Sequence, residues 1–117
     1  MNRLPCAALL LLAGVAPALA QPAPAADEIL PVTFTCAGNG ALEVVFVNTA
    51  GGNSYAVLLD GAELVPMRVA ISASGARYVA LAPGDDRVLW TKGRTATLYA
   101  GKGDAERAVK ADCRAAG

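Results

Sequence analysis

The sequence predicts an all-β domain, a small antiparallel β-barrel of about eight short strands closed by one disulfide. Apolar residues recur with a period of two, which is typical of strands, and not with the 3.6-residue period of helices. Residues that favour turns separate these runs at short, regular intervals. Cys36 and Cys113 stand near the two ends of the pattern. Because closure removes exposed sheet edges, a barrel is favoured, and a two-sheet β-sandwich is the alternative.

The first twenty residues have the layout of a secretory signal peptide. Arg3 supplies the positive charge, residues 6–16 are apolar, and Ala18-Leu19-Ala20 is a small-x-small cleavage site. The apolar segment is short for a transmembrane helix, which needs about 20 apolar residues. Cys6 stands at the start of this segment and not at its end, which argues against a lipidated cysteine. We therefore expect cleavage after Ala20, export to the periplasm and no membrane anchor.

The exported chain is predicted to consist of a leader and one domain. Residues 21–28 are rich in proline and alanine and poor in large apolar groups, which indicates a flexible leader. Residues 29–117 form a single domain of about 90 residues, a size at which a core benefits from a cross-link. In an oxidising compartment, a disulfide between Cys36 and Cys113 is favoured over two reduced, buried cysteines.

The first strands are predicted from alternation. Val32, Phe34 and Cys36 alternate with threonines, so that one face is apolar and the other polar. The next two runs are apolar on both faces, as expected where one face lines a core and the other is partly covered. Asp60-Gly61 then gives the strongest hairpin signal, because both residues tolerate the positive φ of a tight turn.

The later strands are predicted from the turns that bound them. Ser74-Gly75, Pro83-Gly84, Lys92-Gly93 and the 101–104 segment interrupt the second half of the chain. The last run has an alternative interpretation, since residues 105–111 could begin a short helix. The predicted strands are residues 30–36, 41–48, 54–60, 62–70, 75–82, 87–92, 95–100 and 106–113.

Composition excludes several classes of function. Ten basic and ten acidic residues balance, and loss of Arg3 with the signal leaves a net charge of −1, so neither nucleic acid nor an anionic membrane is expected as a partner. The chain has no histidine, which removes the usual general base and the usual zinc ligand. With both cysteines cross-linked, neither a metal nor a cofactor is expected. The acidic residues show no matched general acid and general base of the kind that would indicate an enzyme.

Several short motifs occur in a fixed order along the whole domain. They are Phe34-Thr35-Cys36, the 42–48 strand, Asp60-Gly61, Ser74-Gly75-Ala76-Arg77-Tyr78, Leu89-Trp90-Thr91-Lys92-Gly93, Ala96-Thr97-Leu98 and Cys113. Any one of them would be weak evidence, but the ordered set resembles the MliC/PliC family of bacterial inhibitors of c-type lysozyme. The resemblance implies an eight-stranded antiparallel barrel with a disulfide. It also implies that loops of the barrel enter the lysozyme cleft where peptidoglycan binds.

The resemblance places the inhibitory residues on two loops. Its key serine falls on Ser74, with Ser72 less favoured, and its key lysine falls on Lys92. On composition alone these would be ordinary turn residues. Trp90 is expected to pack and to support the loop. The other residues assigned to the inhibitory, partner-binding site are Gly75, Arg77, Tyr78, Thr91 and Gly93.

The implied chemistry requires a carboxylate target. Lysozyme uses one protonated and one ionised carboxyl group that face each other across the scissile bond. An ammonium from Lys92 would be attracted to the ionised group and would lower the proton affinity of the other. The connection 82–87 is long for a hairpin, and its acidic pair Asp85-Asp86 is predicted to contact the basic surface of lysozyme.

A small-ligand-binding periplasmic barrel is the alternative function. An apolar ligand would then occupy the barrel mouth. Eight strands leave little internal space, however, and Phe34, Phe46, Leu58 and Leu98 are expected to fill it. The oligomeric state, monomer or dimer, is not specified by any motif.

Overall fold

The structure, a computed structural model, describes residue 14 and residues 26–116. The predicted cleavage site and most of the predicted leader lie outside the described residues. The described chain forms a closed barrel of eight antiparallel strands in sequence order, which confirms the predicted barrel over a sandwich. The strands are β1 (Glu28–Thr35), β2 (Ala41–Asn48), β3 (Ser54–Asp60), β4 (Glu63–Ala70), β5 (Ala76–Ala80), β6 (Val88–Lys92), β7 (Thr95–Ala100) and β8 (Arg107–Ala115). No helix in the described segments is long and apolar enough to cross a membrane.

The strand bounds agree with the predicted ones to within two residues. β1 begins at Glu28, one residue inside the predicted leader, because Glu28 pairs with Asn48. β5 ends at Ala80, whose amide donates to the Arg87 carbonyl oxygen across the loop, 3.2 Å away. A short 3-10 turn at Gly103–Ala105 precedes β8. The last element is therefore a strand and not the alternative helix.

The core fills the barrel interior because alternate side chains of every strand point inward. The side chains with no exposed surface include Leu42, Leu58, Met67, Leu89 and Leu98. Phe34 packs edge-on against Phe46, with ring centroids 6.4 Å apart, and Phe46 packs against Tyr78 at 5.5 Å. The predicted filling of the interior is confirmed, with Phe46 partly buried at its edge.

The barrel closes along a short seam between β1 and β8. Only two residue pairs join these strands, Phe34 with Ala115 and Thr35 with Arg114. The next pair in this register is Cys36 with Cys113, and a disulfide joins them, which confirms the predicted cross-link. The Lys110 ammonium also reaches across to the Ala41 carbonyl oxygen of β2, 2.6 Å away.

β8 contains a bulge that the sequence pattern did not indicate. Ala96 pairs with Cys113 and Leu98 pairs with Lys110, so β8 advances by three residues where β7 advances by two. Asp112 lies within this step and has φ of +52°, a conformation that aspartate tolerates better than most residues. Because strand faces alternate, the extra residue is what keeps Cys113 and Ala96 together on the interior face.

Arg87 fastens the long loop 81–87 to the β3–β4 hairpin. Its guanidinium contacts Asp60 at 2.9 Å, Glu63 at 2.7 Å and Asp85 at 2.6 Å. The Arg87 side chain is only 16% exposed, so these hydrogen bonds are partly shielded from water. They hold the pKa of the Asp85 carboxyl below its usual range and raise that of Arg87. The long loop thus carries Asp85 and Arg87 into an ion-pair cluster with the β3–β4 hairpin.

Replacing Arg87 with methionine is expected to lower the free energy of unfolding by about 1 to 3 kcal/mol near neutral pH, since Asp85 loses its charged partner. The pKa of Asp85 is lowered from its ordinary value of 3.8. The stabilisation is therefore present above about pH 4 and is lost as the pH falls through the folded-state pKa. Urea unfolding at pH 7 and at about pH 2 measures both effects.

The exposed Arg107, which forms no ion pair among the described residues, provides the control. Arg107→Met is expected to change the free energy of unfolding little. Equal losses in the two variants, or a loss in Arg87→Met that is undiminished in acid, would contradict the role assigned to the cluster.

Candidate functional site

The two predicted loops lie side by side at one end of the barrel. In an antiparallel barrel with strands in sequence order, successive connections alternate between the ends. Loops 49–53, 71–75 and 93–94 therefore share one end, which we call the site end. β5 and β6 are neighbours, and Ala76 pairs with Thr91. This register places Ser74 and Gly75 next to the end of the strand that carries Lys92.

Two contacts fix the 71–75 loop against β6, and a third lies within the loop. The Trp90 indole donates to the Ser74 carbonyl oxygen at 3.0 Å, and the Ser72 hydroxyl donates to the same oxygen at 2.7 Å. Gly75 packs so closely on Thr91 that a Cβ there would collide with the Thr91 carbonyl oxygen. The exposed Ser74 hydroxyl has no hydrogen bond to any described residue. The backbone of Ser74 is thus held in place, while its exposed hydroxyl group stays available for hydrogen bonding.

Gly75→Ala is expected to destabilise the domain for two reasons. Gly75 has φ of +67°, which costs an L-residue about 1 to 2 kcal/mol, and the added methyl group collides with β6. Gly61 has a similar φ of +61° but no neighbour within 4 Å of an added Cβ, so Gly61→Ala isolates the backbone strain. Gly75→Ala should lose about 1 to 3 kcal/mol more than Gly61→Ala in urea unfolding. Equal losses would contradict the close packing.

Lys92 ends β6 at a tight hairpin. Lys92 pairs with Thr95 across a two-residue turn, and Gly93 at the first turn position has φ of +57°, which such hairpins require. The Thr95 hydroxyl donates to the Lys92 carbonyl oxygen at 2.8 Å. The Arg94 guanidinium and the Ala115 carbonyl oxygen, 3.1 Å apart, tie the turn to β8. The Lys92 side chain itself is exposed.

The remaining predicted site residues divide between the surface and the interior. Arg77 pairs with Trp90 and is half-buried on the outer wall. Tyr78 is 6% exposed and belongs to the core, where burial raises the pKa of its hydroxyl. The Thr91 hydroxyl points back toward the Ala76 carbonyl oxygen, 3.4 Å away. Tyr78 and Thr91 therefore support the site from within. Of the two positions open to an aromatic residue on this strand, the contact surface and the core, Tyr78 occupies the core, and its part in partner binding stays a prediction.

Asp85 and Asp86 lie at the end of the barrel opposite Ser74 and Lys92. Their loop joins β5 to β6, as the hairpin 61–62 joins β3 to β4 at the same end. Asp85 is also engaged by Arg87. The hypothesis that this pair contacts the basic surface of lysozyme stays a prediction, and it would require a contact separate from that of the Ser74 and Lys92 loops. The long loop does not affect how closely Ser74 approaches Lys92.

A recess of about 250 Å³ opens at the site end, at the barrel mouth. The aromatic side chains of Phe34, Phe46 and Tyr78 form its floor, and Gly93 and Arg94 form part of its rim. Leu58 and Leu98 fill the interior with no exposed surface. In the described part of the chain, no group of histidine, cysteine, aspartate or glutamate residues is arranged to hold a metal ion.

Comparison with known proteins gives one family and two similar structures. A family model described as MliC, membrane-bound lysozyme inhibitor of c-type lysozyme, matches residues 34–107. PliC-St, a periplasmic lysozyme inhibitor of C-type lysozyme from Salmonella typhimurium, is 39% identical with a TM-score of 0.70, over 77% of this chain and 100% of that chain. Pseudomonas aeruginosa MliC, solved in complex with hen egg white lysozyme, is 32% identical with a TM-score of 0.57, over 88% and 98%. No curated protein matches the chain.

Proposed function

The chain belongs to the MliC family of inhibitors of c-type lysozyme, and on that basis we propose that it binds a c-type lysozyme and blocks the active-site cleft with the loops that carry Ser74 and Lys92. The observation that supports this most is their arrangement. A register pair between Ala76 and Thr91 and a hydrogen bond from Trp90 hold the two loops together at one end of a rigid barrel. The P. aeruginosa relative was solved with hen egg white lysozyme.

The chemistry of the two side chains fits a carboxylate pair. The Lys92 ammonium is attracted to the ionised carboxylate, and its positive charge favours ionisation of the carboxyl group that must donate a proton. The Ser74 hydroxyl can donate to one carboxylate, which contributes orientation more than affinity. The domain acts by occupying the cleft and needs no catalytic residues of its own.

Export is part of the same proposal. The sequence of residues 1–20 favours cleavage after Ala20 and a periplasmic location, and the Salmonella relative is described as periplasmic. A protein in this compartment would meet a lysozyme that reaches the cell wall from outside, and its inhibition would protect peptidoglycan.

Lysis of a cell-wall suspension tests the proposal. The exported chain, residues 21–117 with its disulfide formed, is mixed with hen egg white lysozyme and the fall in turbidity is followed. We expect lysis to stop at micromolar or lower concentrations of the domain. Full lytic activity at micromolar excess would overturn the proposed function.

A further inference from the structure

An isoleucine on the 71–75 loop is almost entirely exposed. Ile71 is 98% exposed, more than any other large apolar residue described. It continues the interior row of β4, in which Val65 is 2% exposed and Met67 is 0% exposed, followed by Val69 at 43%. The apolar row that builds the core therefore runs past the end of the barrel, and its last side chain projects into water.

The position of Ile71 distinguishes it from scattered apolar surface residues, which are common. Ile71 and Ser74 are three residues apart, so their Cα atoms lie within about 11 Å of each other. The same loop is held by the hydrogen bonds of Ser72 and Trp90 to the Ser74 carbonyl oxygen. An apolar side chain on a fixed loop loses little conformational freedom when it is buried by a partner.

We propose that Ile71 is an apolar anchor of the lysozyme interface, inserted against an apolar wall of the cleft beside the carboxylates that Lys92 and Ser74 meet. The inference rests on the proposed function and extends it to the kind of surface that the partner must present. A charged contact and an apolar contact then lie in one interface. Such a pairing selects partners that carry an apolar surface next to an acidic group.

The variant Ile71→Thr tests this anchor. Threonine keeps the branched Cβ and hence the backbone preference, but it removes most of the apolar surface. We expect inhibition of hen egg white lysozyme to weaken about tenfold or more. The loss should be similar at low and at high salt, because burial of apolar surface is not screened. The midpoint of thermal unfolding should not change, since Ile71 contacts little of the folded domain.

Leu64→Thr is the matched control. Leu64 is also on β4 and is 67% exposed, but it follows the hairpin at the opposite end, so its replacement should leave inhibition unchanged. Ile71→Leu should retain most of the affinity. Inhibition by Ile71→Thr equal to that by the wild type, or a loss shared with Leu64→Thr, would overturn the anchor while the proposed function stands. Failure of the wild type to inhibit would overturn both.

Discussion

Replacement of Lys92 by methionine is expected to weaken inhibition of c-type lysozyme by about 30-fold to several thousand-fold. Loss of one partner from a desolvated charge pair typically costs about 2 to 5 kcal/mol of binding, at 1.4 kcal/mol for each tenfold change. Methionine preserves the length and apolar character of the lysine stem, so the change isolates the ammonium. Because Lys92 is exposed, the free energy of unfolding should remain that of the wild type. Inhibition constants from the lysis assay measure the effect.

Two further variants separate the ammonium from positive charge in general. Lys102 is exposed in the connection between β7 and β8 at the opposite end of the barrel, and Lys102→Met makes the same change in net charge. It should leave inhibition within about twofold of the wild type, because charges beyond a Debye length, about 8 Å at physiological salt, are largely screened. Equal effects of the two variants would show that Lys92 acts through net charge and not through a local contact with the carboxylates.

Salt dependence separates the Lys92 contact from the apolar contact proposed for Ile71. Salt screens the attraction that brings the Lys92 ammonium to an acidic cleft and so slows association, although it weakens the desolvated pair itself less, whereas it does not screen apolar burial. The difference in inhibition between the wild type and Lys92→Met should therefore narrow at high salt. The difference produced by Ile71→Thr should persist. The two loops would then contribute physically distinct parts of the same affinity.

The fold was predictable because local signals agreed with one another along the chain. Strands such as 41–48 and 54–60 were predicted at their observed bounds, since alternation and turn residues mark the same positions. The disulfide was predictable from two cysteines in an exported chain. The bulge at Asp112 was not, because an extra residue in β8 is visible only in its pairing with β7 and carries no distinct local composition.

The position of the candidate site residues in the fold could be predicted from the sequence, whereas their contacts could not, and their role stays a prediction. Ser74 and Lys92 come from the family resemblance, and strand order then places them at the same end. The hydrogen bond from Trp90 to the Ser74 carbonyl oxygen depends on a side-chain rotamer and on a backbone acceptor, neither of which a sequence pattern specifies. The role of Arg87 escaped prediction for a similar reason. Its three carboxylate partners come from separate segments that meet only in the folded barrel.

Removal of the Cys36–Cys113 disulfide is expected to cost about 4 to 5 kcal/mol of folding free energy, since the cross-link joins residues 77 positions apart. Small domains have only about 5 to 15 kcal/mol in total, so most of the stability should be lost. The strand pairing at the seam cannot replace the stability lost with the disulfide, because β1 and β8 share only two residue pairs besides the cross-link. The double variant Cys36→Ala, Cys113→Ala removes the cross-link without burying a hydroxyl group, as serine would. Urea unfolding of this variant and of the wild type, with and without reductant, measures the loss.

The same cross-link should also determine whether Lys92, the lysine proposed to inhibit lysozyme, is held in place. Cys113 pairs with Ala96 of β7, one position from the hairpin in which Lys92 faces Thr95, and the amide of Ala115 donates to the Arg94 carbonyl oxygen at 2.8 Å. Opening the seam therefore frees the strand that anchors this hairpin.

Reductant should abolish inhibition by the wild type, and it should also abolish cooperative unfolding at the wild-type midpoint. It should have no further effect on the double alanine variant. An unchanged unfolding midpoint in reductant would refute the structural role of the disulfide. Full inhibition by an extensively unfolded, reduced chain would show that Lys92 does not depend on the barrel.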